Sequence, residues 1–266
     1  MDILKDYKKI NKESWNNKVD YHMESEFYDV ESFKKGKNSL NEIELNLLGS
    51  LEGKSVLHLQ CHFGMDSISL ARLGAIVTAV DFSDKAIDTA KQLADEQNVN
   101  LELICCDVLE LDQHLDKKFD IVFTSYGTVG WLADLNQWAR IVEHFLKPNG
   151  DFVFVEFHPV VWMFSDEFNS VAYSYFKGEP IIEKVQGTYA DREADSEFVS
   201  VNWNHGLAEV VTALLSTGLE IKNFNEYNYS PYNCFLGTEE FEPGKFRIAH
   251  FENKIPMVYS ISAKKK

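Results

Sequence analysis

Basic residues are in short supply. The 266-residue chain has 26 Lys and Arg against 42 Asp and Glu, a formal net charge of −16. A surface this acidic repels phosphate backbones and anionic lipid headgroups, which argues against nucleic acid or a membrane surface as partner. The one basic run of note, Lys264-Lys265-Lys266, reads as a solvated tail. Cysteine is also scarce, with residues at 61, 105, 106 and 234 and no Cys-x-x-Cys pair. That pattern excludes a disulfide framework and a zinc finger and fits reduced thiols. No window holds the roughly 18 apolar residues of a spanning helix, and MDILKDYKKINKESW has no apolar secretory core. These absences predict a cytoplasmic protein. The Gly-x-Gly-x-x-Gly turn of nicotinamide enzymes is missing as well: residues 60–65 contain one glycine.

What is present is an alternation of short apolar runs and amphipathic stretches. Ser55–Gln60, Ala75–Asp81, Leu101–Cys106, Phe119–Ser125 and Asp151–Glu156 read as strands, near-continuously apolar as a sheet covered on both faces requires. Met65–Leu73, Asp84–Asn98 and Leu135–Leu146 read as helices, the last stopped by Lys147-Pro148-Asn149-Gly150. Strands alternating with helices imply right-handed crossovers and a parallel sheet. Ahead of them, residues 1–50 form an N-terminal helical cap, with a capping box at Ser39–Glu42 opening a helix to about Leu48. After the fifth strand, Val171–Phe176, Ile181–Tyr189 and Glu197–Trp203 suggest an inserted antiparallel lid over 159–204. Leu207–Ser216 returns to helix, and Leu219–Tyr227 and Met257–Ala263 form a closing strand pair. The expectation is a single α/β domain: a Rossmann-like, mostly parallel seven-stranded sheet flanked by helices, with an antiparallel insertion after strand five.

In such a sheet, ligands bind beyond the carboxyl ends of the strands, and four of those ends are informative. Gln60-Cys61-His62-Phe63-Gly64 follows strand one, where Gly64 would let backbone approach a ligand and the helix behind offers N–H groups. Asp81 ends strand two and can accept from both hydroxyls of an adenosine ribose; Phe82 could cover an adenine, and Ser83 can cap the next helix. Asp107 ends strand three, with Val108 N–H beside it, and can accept from an adenine amino group or cap a turn. Ser125-Tyr126-Gly127 ends strand four with Trp131 just beyond, and ring faces attract a cation.

This ordered set resembles the class I S-adenosylmethionine (SAM)-dependent methyltransferases. Their first motif reads Asp-x-Gly-Cys-Gly-x-Gly, and His58-Leu59-Gln60-Cys61-His62-Phe63-Gly64 stands in its place. Asp81, Asp107 and Leu146-Lys147-Pro148-Asn149-Gly150 match later family positions. The stretches VLHLQCHFGMDSISLARLGA and SYGTVGWLADLNQWARI look closest to a bacterial small-molecule subgroup. The departures are His58, Gln60 and His62, where the family has Asp, Gly and Gly. The resemblance implies SAM as cofactor, held by Tyr28, Gln60, Cys61, His62, Gly64, Asp81, Phe82, Ser83, Asp107, Val108, Ser125, Tyr126 and Trp131. It implies a small-molecule methyl acceptor, and no metal.

Because a sulfonium methyl is already activated, transfer needs chiefly alignment and exclusion of water. A base enters only if the acceptor must lose a proton, and His158, His205 and Tyr126 are the candidates, with Glu156 beside His158. Aromatic residues of the insertion (Tyr173, Tyr175, Phe176, Tyr189, Trp203) and cap (Trp15, Tyr21, Phe27, Tyr28) would close the pocket or serve a homodimer face. A non-catalytic SAM-binding regulator is the competing reading.

Overall fold

A computed structural model describes residues 3–266, with side chains from Asp6 onward. Three helices come first: α1 (Ile3–Glu24), α2 (Val30–Lys34) and α3 (Glu42–Leu48). The alternating core follows as β1 (Ser55–Leu59), α4 (Met65–Arg72), β2 (Ile76–Asp81), α5 (Asp84–Glu96), β3 (Glu102–Cys105), β4 (Phe119–Ser125), α6 (Leu135–Phe145) and β5 (Leu146–Phe157). After it come β6 (Ile181–Gln186), β7 (Glu197–Asn202), α7 (Leu207–Ser216), β8 (Glu220–Tyr227), β9 (Thr238–Glu242), β10 (Lys245–Ile248) and β11 (Val258–Lys264).

Seven strands form the central sheet in the order β3-β2-β1-β4-β5-β11-β8. The first five pair in parallel, and β11 runs antiparallel to both β5 and β8. This is the predicted architecture. The apolar runs explain it, because each strand feeds two cores. Leu57, Val122, Phe152 and Phe154 pack under Trp138, Val142 and Phe145 of α6. Their neighbours Val56, Ile121, Phe123 and Val153 face Leu70 of α4 and Ile87 of α5. The chain enters at β1, in the middle of the sheet, builds outward to β3, then crosses back to β4. The carboxyl ends of β1 and β4 therefore border the switch point where a ligand fits.

Several details differ from expectation. The capping box lies two residues later than read: Asn41 is the N-cap of α3, and its backbone N–H donates to Glu44 Oε1 at 2.6 Å. Lys147–Gly150 stops α6 as expected, but β5 starts directly at Leu146, and these four residues form an irregularity within it beside the start of β4, with Asn149 at φ 62°. Val171–Phe176 forms a single bridge, Phe164 to Val171, and no strand, whereas β6 and β7 do pair as the predicted ribbon. The β9–β10 hairpin was not anticipated. No helix among the described residues is long and apolar enough to cross a membrane.

Candidate functional site

A narrow cleft of about 40 Å³ opens at the carboxyl ends of β1, β2 and β3. Gln60, Asp81, Phe82, Asp107, Val108 and Trp131 line it from the sheet side, and Tyr7, Lys8 and Asn11 of α1 cover it. Six residues expected at a cofactor site thus meet in one place. A larger hollow of about 410 Å³ lies at the amino ends of the same strands, around Ser55, Ile76 and Phe119, the wrong edge for an α/β ligand.

Asp81 sits at the floor of the cleft, 8% exposed. Ser83 N donates to Oδ1 at 2.9 Å and His62 N to Oδ2 at 2.8 Å. Each carboxylate oxygen has two lone pairs, so both retain capacity for a further donor. Burial pushes the carboxyl up to about 6, against the pull of those backbone N–H groups. Ser83 caps α5, accepting from Ala86 N at 3.0 Å, and donates to Asn16 Oδ1 on α1. Asp107 is more committed. Its Oδ1 accepts from Leu109 N at 2.9 Å, capping the short 3-10 helix Val108–Gln113, and its Oδ2 pairs with Lys8 Nζ at 2.5 Å.

The β1–α4 loop explains why the family pattern has glycine. Gln60 and His62 adopt φ of 54° and 52°, the left-handed region, and Tyr126 at the end of β4 has φ of 45°. The loop keeps the backbone of a glycine turn with side chains attached, a strain of roughly 1–2 kcal/mol per residue. Gln60 Nε2 donates to Thr128 O at 2.9 Å, tying the β1 end to the β4 loop. Gln60 Oε1 and His62 Nε2 are buried without a partner among the described residues. Gly64 is needed for a reason beyond the expected one. Its φ is +81°, and a Cβ there would meet Ala90 Cβ of α5 at 2.9 Å, so glycine is required there for helix packing as well.

The remaining candidates lie around the cleft. Cys61 is buried and outside the lining, with its thiol near His62 O at 3.6 Å. Ser125 Oγ lies 3.5 Å from Asp66 Oδ2. Tyr126 OH donates to Glu44 Oε2 at 2.9 Å. Tyr28 OH bonds Tyr189 OH of the inserted ribbon. Trp131 Nε1 donates to Gly127 O at 2.7 Å, and its ring meets Trp15 edge-on at 5.4 Å. His58 is a buried strand residue bonded to Ser67 Oγ at 2.8 Å. His158 bonds Glu226 Oε1 at 2.8 Å and accepts from Val160 N at 3.2 Å. His205 bonds Leu132 O at 2.8 Å and has Glu209 Oε2 at 3.1 Å on its other nitrogen. Burial lowers both histidine pKa values, against the pull of those glutamates.

Sequence reasoning placed Trp15 and Tyr21 of α1 over the pocket but missed the first turns of that helix. Tyr7, Lys8 and Asn11 close the cleft, and Asn11 does so by bonding the edge of β7: Nδ2 to Val201 O at 2.7 Å and Val201 N to Oδ1 at 2.8 Å. A polar residue repeating on the buried face of an N-terminal helix was the available signal.

A methyltransferase-domain family model matches residues 56–150, the stretch that carries the β1 loop, Asp81, Asp107 and the β4 loop. The chain is similar to the ubiquinone biosynthesis O-methyltransferase of Coxiella burnetii, with 35% identity over 105 residues, 40% of this chain and 44% of that protein. The protein of the same name from Bordetella avium is 31% identical over 128 residues, 47% of this chain and 53% of that protein. The matched stretch thus spans about half the length of these relatives. In fold, the chain resembles an S-adenosylmethionine dependent methyltransferase from Mesorhizobium loti, with TM-score 0.57, 18% identity and 87% of this chain and 100% of that one covered. It also resembles the geranyl diphosphate C-methyltransferase of Streptomyces coelicolor, with TM-score 0.58, 16% identity and coverage of 94% and 84%.

Proposed function

We propose that the chain is a SAM-dependent methyltransferase acting on a small-molecule acceptor. The observation that carries this reading is Asp81: a buried carboxylate at the end of β2, with spare lone pairs, on the floor of a cleft at the sheet's switch point. Asp81 would hold the ribose hydroxyls. Phe82, Val108 and Leu109 would line the adenine, and the unpartnered Gln60 Oε1 is an acceptor available on the methionine side. Two buried polar atoms without partners beside the cleft are what a site designed for a polar ligand leaves behind. When bound, the cofactor supplies a methyl already activated on a positively charged sulfur.

The chain's own task is then to orient and to exclude water. Trp131 and the 127–132 loop, held by Glu156, and α1 above them would set the direction from which an acceptor approaches. His158 spends both ring nitrogens on neighbours, whereas His205 Nδ1 faces Glu209 without a hydrogen bond among the described residues, so the geometry supports alignment as the mechanism and keeps His205 as the one histidine candidate for a base. Relatives that methylate oxygen in ubiquinone biosynthesis support a small-molecule acceptor.

Calorimetric titration with SAM, S-adenosylhomocysteine and NAD tests the reading. SAM and S-adenosylhomocysteine are expected to bind and NAD not. Asp81→Ala should weaken SAM by about 2 kcal/mol if two ribose hydrogen bonds are lost. Binding of NAD alone, or unchanged SAM affinity in Asp81→Ala, would overturn the respective claim. Binding of SAM with no homocysteine-forming turnover on any acceptor would favour a regulator.

A further inference from the structure

Lys18 lies on the inner face of α1 and is 7% exposed. Its Nζ stands 5.0 Å from the ring centre of Trp15, 5.5 Å from Phe198 on β7 and 5.8 Å from Trp131. Trp131 also lines the cofactor cleft, so this aromatic box and the cleft share a wall. Among the described residues, Lys18 has no carboxylate within 4 Å and no hydrogen-bond acceptor. The groups around it supply no counter-charge either. His22 on the same helix and His62 in the β1–α4 loop are both held neutral by burial, His22 pushed down to about 3. Glu183 on β6 is the acidic group whose field reaches Lys18, but it stands beyond ion-pair range and accepts from Asn202 Nδ2 at 3.0 Å.

A buried lysine without a partner is costly, and a leucine or methionine would serve α1 packing better. Ring faces attract the ammonium but give its three N–H groups no acceptor. Burial brings Lys18 down to about 8, so it remains mostly charged at neutral pH. What is missing is an anion. We propose that Lys18 anchors a carboxylate of the methyl acceptor, whose flat apolar body lies against the rings of Trp15, Trp131 and Phe198. This rests on the methyltransferase reading and narrows it to an acidic, partly aromatic acceptor. Such a carboxylate would sit beside the ammonium and near the positively charged sulfur, offsetting both. A chain of net charge −16 repels anions at long range, so the affinity must come from these local, desolvated contacts.

The test titrates the full chain, saturated with S-adenosylhomocysteine, with benzoate and with benzamide, which share size and ring but differ in charge at pH 7. Benzoate is expected to bind at least tenfold more tightly. Lys18→Met should erase that preference and Lys18→Arg should keep it, with S-adenosylhomocysteine affinity maintained in both and the melting temperature of Lys18→Met no lower than that of the parent. Equal affinities, no binding of either probe, or a preference surviving in Lys18→Met would overturn the proposal. If S-adenosylhomocysteine itself does not bind, the methyltransferase reading fails, and the same two titrations without it still decide the role of Lys18.

Discussion

At the scale of single residues, the clearest division of labour is between Asp81 and Glu156. Both are buried carboxylates at strand ends, but Asp81 keeps lone pairs free while Glu156 spends its own. Glu156 accepts from the backbone N–H groups of Gly127, Thr128, Val129 and Phe157 and from Thr128 Oγ1. It therefore shapes the loop carrying Trp131 and the Thr128 carbonyl that Gln60 bonds. From sequence, Glu156 reads as a candidate beside His158 at the end of strand five, because a strand-end carboxylate is visible and its five donors are not. Glu156→Gln would turn an NH2 toward backbone donors and should cost about 2–3 kcal/mol of stability in denaturant unfolding. A variant with unchanged stability and abolished turnover would instead make Glu156 a participant in the chemistry. The place of Asp81 was legible because the alternation puts it at the end of the second strand, where the cleft opens. The strained loop was half legible: the missing glycines were visible, but not that Gln60 and His62 would adopt the glycine conformation nonetheless.

At the scale of elements, strands β1, β2, β4 and β5 could be read because their apolar runs are largely buried on both faces, whereas the edge strand β3 is half-exposed and was read from its place in the alternation. Helix α1 could not be read in the same way. Its buried face is Asn11, Ser14, Lys18, Val19 and His22, a polar stripe at helical spacing that hydrophobic periodicity passes over. Those residues are buried because they meet the site and the edge of β7, not because they are oily. The β9–β10 hairpin was hidden similarly, since Glu239, Glu240 and Glu242 break the alternation expected of a strand. Helix α3 carries a testable consequence of burying charge. Glu44 is 0% exposed, accepts from Asn41 N and Tyr126 OH, and is pushed up to about 7 by desolvation. A carboxyl with a raised folded pKa favours folding while protonated. Its contribution is complete below its ordinary value of 4.5 and is lost as pH rises to about 7. Glu44→Gln cannot ionise, so its stability relative to the parent should rise between pH 4.5 and 8, by up to roughly 3 kcal/mol. Urea unfolding at several pH values checks this, and a difference independent of pH would refute the burial argument.

At the scale of the whole molecule, the mostly parallel seven-stranded sheet and a cleft at its carboxyl edge followed from alternation and strand count, but the strand order and the closure of the cleft did not. A space of about 40 Å³ is far below the roughly 300 Å³ of ordinary ligand pockets, so a SAM-sized molecule requires the cover to lift. The cover is α1. It is tied to α5 by Lys12–Asp84 at 2.8 Å and Lys85–Asp20, and to the 108–113 turn by Lys8–Glu110 at 3.0 Å. These pairs are at least 40% exposed in their side chains, so each is weak and open to screening by salt. The packing of Trp15, Lys18 and His22 on the site side is not screened. Because α1 is held partly by these screened pairs, beside the less exposed Lys8–Asp107 pair and the Asn16–Ser83 and Asn11–Val201 hydrogen bonds, S-adenosylhomocysteine is expected to associate several-fold faster at 500 mM than at 50 mM NaCl. The Lys12→Ala, Lys85→Ala double variant should already be fast at low salt and respond less to added salt. Stopped-flow tryptophan fluorescence reports both, because Trp15 and Trp131 lie on the moving boundary. A rate unaffected by salt and by the two substitutions would mean that loading does not require α1 to part from α5, and the ligand would have to enter from the β6–β7 side.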